Sequence, residues 1–161
     1  MKIGVPKEIK PQETRIGLTP ESVKDLISNG HQVLVENKGG HEAGFENSHY
    51  VSAGAKIVDK AEDIFNDCEI IVKVKEPLSN EVKMIRENQI VFTYLHLAAA
   101  KELTQGLINS KGVCIAYETV TDQNGRLPLL APMSAVAGRM SVQAGEHCLE
   151  KNQTGRGLLL G

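Results

Sequence analysis

No stretch of this sequence is apolar for long enough to cross a bilayer, and the opening Met1-Lys2-Ile3-Gly4-Val5-Pro6 lacks the apolar run of a signal peptide. Basic runs and stripes are missing too. Lys plus Arg total 18 against 20 for Asp plus Glu, a net charge of -2, so neither nucleic acid nor a membrane surface is an expected partner. Cysteine is scarce: Cys68, Cys114 and Cys148 are odd in number, far apart and without C-x-x-C spacing. That excludes a disulfide framework and a thiolate zinc site, and it suits a reducing cytoplasm. The chain has no other metal-ligand cluster, no G-x-S-x-G, no phosphate-binding P-loop and no complete G-x-G-x-x-G. Internal repeats and low-complexity segments are likewise missing.

What is present is a regular beat. The 161 residues, 41% of them hydrophobic, can bury a core. Lys2–Val5 reads as a strand. Thr19-Pro20 then reads as a helix start, with Thr19 as N-cap, Val23, Leu26 and Ile27 on one face, and Gly30 as the stop. Gln32–Glu36 alternates as a strand and Lys38-Gly39-Gly40 turns. The pattern repeats with a strand at Ala55–Val58, a helix near Lys60–Asn66, a strand at Cys68–Val74, a helix near Asn80–Glu87 and a strand at Gln89–Tyr94. A helix at Lys101–Ile108, with Leu103, Leu107 and Ile108 inward, precedes a last strand at Gly112–Tyr117. Such alternation predicts an α/β fold: a doubly wound, mainly parallel sheet with helices on both faces, Rossmann- or flavodoxin-like. Strand C-terminal ends would share one edge, where Lys75, His96 and Glu118 can converge.

After a turn at Asp122-Gln123-Asn124-Gly125, Pro132–Lys151 reads as one long helix. Its small residues, Ala135, Ala137, Gly138, Ser141, Ala144 and Gly145, permit close packing. The organisation expected is a domain over 1–130, followed over 131–161 by a linker helix and the start of a further domain. The apolar ending Leu158-Leu159-Leu160-Gly161 reads as a chain meant to continue.

Four places carry chemistry. Arg15, between the first strand and first helix, can clamp a carboxylate with paired hydrogen bonds, although spacing alone favours a solvated arginine. Lys75 shares a strand face with Lys73. It either holds a carboxylate or polarises a carbonyl, or else is a sheet-edge lysine paired with Glu76; the two readings are even. His96 can exchange protons near neutrality, against the plainer reading of a buried histidine satisfied by backbone. Ser134 lies in the first turn of the long helix, where N–H groups attract anions, against ordinary helix-start chemistry.

Gly4-Val5-Pro6-Lys7-Glu8, Glu13-Thr14-Arg15, Thr19-Pro20, Val23, Leu26 and Gly30 resemble the N-terminal signature shared by alanine dehydrogenases and the α subunit of proton-translocating nicotinamide nucleotide transhydrogenases. Lys73-Val74-Lys75-Glu76-Pro77, Tyr94-Leu95-His96-Leu97-Ala98, Ile115-Ala116-Tyr117-Glu118-Thr119 and Leu129-Leu130-Ala131-Pro132-Met133-Ser134 resemble the alanine dehydrogenase branch. Gln12 and Ile16-Gly17 depart from the family pattern without touching a reactive group.

The resemblance implies a reversible reaction in which L-alanine, NAD and water give pyruvate, ammonium and NADH. It implies that Arg15 and Lys75 hold the substrate carboxylate and carbonyl region and that His96 is the general acid/base. It further implies that Tyr94 and Glu118 line the site, that Met133 walls the substrate methyl, and that Ser134 approaches the cofactor phosphates. It implies a downstream NAD-binding domain, a later segment completing the substrate domain, and a homo-oligomer, a hexamer in the complete enzyme. The residues given would then be inactive alone. The other readings are a transhydrogenase α-type piece and a stand-alone regulatory or interaction module.

Overall fold

The computed structural model describes residues 1–160. They form two compact units, Met1–Tyr117 and a second that begins at Glu118. The first contains six strands: β1 (Lys2–Val5), β2 (Gln32–Glu36), β3 (Lys56–Val58), β4 (Ile70–Val72), β5 (Ile90–Thr93) and β6 (Val113–Ala116). All neighbours pair in parallel, in the order β3-β2-β1-β4-β5-β6. The chain therefore starts mid-sheet, winds out to β3, returns to β4 beside β1, and winds out the other way.

Five helices belong to this unit: α1 (Pro20–Ser28), α2 (Asn47–Ser52), α3 (Ala61–Asp67), α4 (Ser79–Val82) and α5 (Lys101–Ser110). Strand alternation sorts their cores. Val33 and Val35 of β2 join Ile3, Val5, Val72, Val23 of α1 and Tyr50 of α2 in one cluster. Leu34, between them, joins Ile64 and Phe65 of α3, Ile71, Val91 and Leu107 of α5 in the other. Both sheet faces thus bury apolar side chains, as period-2 strands under helices require. α1 begins as its sequence demands: Thr19 is extended, its Oγ1 accepts the Ser22 N–H at 3.3 Å, and Pro20 follows.

Several boundaries differ from the sequence reading. β4 ends at Val72, not Val74, and the chain bends at Val74 and Lys75, so strand alternation does not set the direction of Lys75. α4 is a single turn, Ser79–Val82, rather than a helix to Glu87. Ile108 of α5 is 63% exposed, while Leu107 takes the inward position. The segment 41–52, to which the sequence reading assigned no element, forms a 3-10 turn at His41–Ala43 and then α2.

In the second unit, Asp122 Oδ1 accepts the N–H groups of Asn124 and Arg126 and closes a turn. α6 (Ala131–Leu149) follows, then a 3-10 turn at Lys151–Gln153. The chain folds back on the end of α6: Gly155 N–H donates to Glu150 and Gly157 N–H to Leu149. A Cβ at Gly155 would lie 2.4 Å from the Cys148 carbonyl oxygen. Gly155-Arg156-Gly157 is therefore a helix-ending device. No helix among the described residues is long and apolar enough to cross a membrane.

Candidate functional site

In an open parallel sheet, ligands gather where the strand order reverses, beyond the strand C-termini. Here that point lies between β1 and β4. The links that leave it are Pro6–Thr19 and the segment 73–78, which between them carry Glu8, Glu13, Arg15, Lys73 and Lys75.

Arg15 grips a carboxylate. Its Nε donates to Glu13 Oε1 at 2.8 Å and its Nη2 to Glu13 Oε2 at 2.7 Å, the paired geometry that a planar guanidinium offers. These bonds hold the Glu13 carboxyl at about 2, below its usual 4.5, although partial burial pushes it up. Glu13 in turn raises Arg15, whose charge also interacts with Tyr94 and Glu8. Lys75 acts on Glu13 as well, so Arg15 and Lys75 share one neighbourhood. Gly17 lets this link lie flat on the sheet, since a Cβ there would come within 2.6 Å of the Val72 carbonyl oxygen.

Lys75 is half-buried and held through its backbone. Its carbonyl accepts from the Thr93 hydroxyl at 2.8 Å and its N–H donates to Glu8 Oε1 at 3.4 Å. Glu76 is not its ion partner: the Glu76 carboxylate pairs with Lys10. Burial, the largest influence, pushes the Glu76 carboxyl up, but the Lys10 hydrogen bond, a backbone hydrogen bond and the charges of Lys10 and His96 together outweigh it, and the net shift is downward.

His96 is exposed and stands just past β5 with φ 50 and ψ 40, a left-handed conformation uncommon outside glycine. Such strain is tolerated where the surrounding structure enforces it, often at functional positions. The ring stacks on Tyr94, centroids 5.9 Å apart and planes 16° from parallel. Tyr94 meets Tyr117 edge-on at 4.9 Å, and Tyr117 meets Phe92 at 4.3 Å. Burial pushes the Tyr117 phenol well up, so it stays neutral.

Arg15, Lys75, Tyr94 and His96 thus surround the end of β1, β4 and β5. Glu118, Met133 and Ser134 belong to the second unit. Glu118 is half-buried in a 3-10 turn, Tyr117–Thr119, and Met133 is 39% exposed. The Ser134 N–H and hydroxyl both donate to the Leu130 carbonyl, so neither points to an anion. Sequence reasoning missed Glu8, Thr93, Glu81 and Tyr117. Only an apolar-flanked Thr93 and a lysine doublet at Lys73 and Lys75 hinted at them.

Two cations beside an imidazole and a neutral aromatic wall can bind a small carboxylate and move a proton at its neighbouring carbon or oxygen. The arrangement has relatives. Residues 4–137 match the family described as alanine dehydrogenase/PNT, N-terminal domain. An alanine dehydrogenase of Halomonas elongata is 52% identical over 160 residues, which cover 99% of this chain and 43% of that protein. A solved L-alanine dehydrogenase superposes over the whole chain and 44% of its own length, with TM-score 0.90 and 54% identity. A transhydrogenase from Sinorhizobium meliloti superposes over 76% of this chain and 36% of its own, with TM-score 0.71 and 26% identity. The chain spans less than half the length of these relatives.

Proposed function

Since the chain belongs to the alanine dehydrogenase/PNT N-terminal domain family, we propose that it is the substrate-handling part of an NAD-dependent alanine dehydrogenase. The full reaction converts L-alanine, NAD and water to pyruvate, ammonium, NADH and a proton. The reading is supported above all by half-identity to alanine dehydrogenases along the entire chain, twice the identity shared with the transhydrogenase.

Arg15 and Lys75 hold the substrate carboxylate and the carbonyl oxygen, the substrate displacing the Glu13 carboxylate that Arg15 grips in this structure. Their positive charge draws electrons from the imine carbon and so favours its reduction. His96 takes and returns the proton at the substrate oxygen while the carbinolamine forms and collapses. Tyr94 keeps the imidazole oriented by stacking.

NAD supplies the hydride acceptor, but the first unit does not fit it. A dinucleotide site of this topology needs a glycine-rich turn after β1. Here that link is long and contains the buried carboxylate of Glu8, which would repel a pyrophosphate. The cofactor is instead held mainly by a downstream domain of the full-length protein, a cytoplasmic homo-oligomer, hexameric when complete.

The test is an assay of the full-length protein for alanine-dependent NAD reduction. Lys75→Ala and His96→Ala should each lower kcat/KM by about 10²–10⁴-fold. A folded, NAD-binding protein without alanine turnover would refute the substrate assignment, and hydride exchange between NADH and an NADP analogue would move it to the transhydrogenase branch.

A further inference from the structure

Lys73, Glu8 and Glu81 form a buried ionic triad, with exposures of 1%, 6% and 2%. Lys73 Nζ lies 2.8 Å from Glu81 Oε1 and 3.2 Å from Glu8 Oε2. The second oxygen of each carboxylate is spent on backbone. Glu8 Oε1 accepts the N–H groups of Val74 at 2.6 Å and Lys75 at 3.4 Å, and Glu81 Oε2 accepts the N–H of Leu78 at 2.8 Å. All four carboxylate oxygens therefore have partners.

Burying three charges is a poor way to gain stability, because desolvation consumes much of the attraction. What this triad supplies is position. The sheet ladder ends at Val72, just before the segment that carries Lys75. Beyond it, β5 still takes the Lys73 N–H on the Phe92 carbonyl, and the Tyr94 N–H reaches the Val74 carbonyl. The Lys75 peptide is then held on both sides, its N–H by Glu8 and its C=O by the Thr93 hydroxyl, which is fully buried.

We propose that Glu8, locked by Lys73 and Glu81, acts with Thr93 as a cradle that positions Lys75 for the substrate carboxylate and carbonyl. The proposal rests on the substrate-binding role given to Lys75 above. Small misplacements of such a group are costly, since about 1 Å can lower rate by roughly 10²-fold.

The experiment uses the full-length protein with Thr93→Val, Glu8→Leu and Glu8→Gln. Two readouts are taken: KM for pyruvate against KM for NADH, and amide hydrogen exchange of the segment 73–78. Thr93→Val and Glu8→Leu should raise KM for pyruvate about 10–100-fold with KM for NADH unchanged, and should speed exchange of the segment. Glu8→Gln keeps a carbonyl acceptor for the two N–H groups and should restore most of the loss. Should Glu8→Leu fail to fold, Thr93→Val, which removes a single hydroxyl, decides the matter. Unchanged KM for pyruvate in folded Thr93→Val overturns the cradle. Faster exchange in a protein whose wild type shows no alanine turnover overturns the substrate role of Lys75 and keeps the mechanical one.

Discussion

Glu13 shows how one contact sets both a charge and a shape. Its hydrogen bonds to Arg15 bring the carboxyl from 4.5 down to about 2, against the opposing push of burial. A carboxyl whose folded value is depressed stabilises the fold above its unfolded value, and that contribution is lost as pH falls. The window here runs from about 4.5 down to about 2. Carbon-13 NMR of the Glu13 carboxyl should titrate near the lower end in the wild type. In Arg15→Ala burial is opposed only by the residue-15 backbone N–H and by Lys75, so the midpoint should rise well above 2, toward 4.5; a wild-type midpoint already near 4.5 would contradict the pairing. The sequence offered Arg15 as a carboxylate clamp, although its spacing favoured a solvated arginine. Its occupation by Glu13, two positions away, was not legible, because spacing does not say whether a side chain turns toward a neighbour or toward solvent.

Among the elements, β1 and α3 touch most tightly at Gly4. A Cβ there would stand 2.3 Å from Ile64 Cγ2 and 2.9 Å from Cys68 Sγ. Gly4→Ala should therefore destabilise the fold by about 1–3 kcal/mol through overpacking, read as a lower denaturant midpoint; an unchanged midpoint would mean that α3 does not pack as closely as described. The beat of strand and helix was readable because apolar periods of two and of three to four alternate along the chain. The mistakes have local causes. α4 is a single turn whose start is closed by a capping box, the Glu81 side chain accepting the Leu78 N–H while its other oxygen meets Lys73. Lys75 escaped strand alternation because the ladder ends at Val72. Ile108 faces outward because Leu107 occupies the buried position on α5.

For the whole molecule, the first unit has a Rossmann-like strand order without a dinucleotide loop. The 161 residues alone should accordingly give no alanine-dependent NADH formation, whereas the full-length protein should, as followed by NADH absorbance. Turnover by the short chain that disappears in His96→Ala would overturn this expectation. By itself the sequence determined the alternation of elements, the parallel α/β class, the N-cap at Thr19 and the residue types Arg15, Lys75 and His96, because each is written in local pattern or in motifs a few residues long. Only the tertiary structure decided that β4 returns beside β1, that Lys73 is spent on Glu8 and Glu81, and that Glu8 reaches the backbone of Lys75. Those partners are up to 67 residues apart along the chain, and their pairing depends on which strands become neighbours.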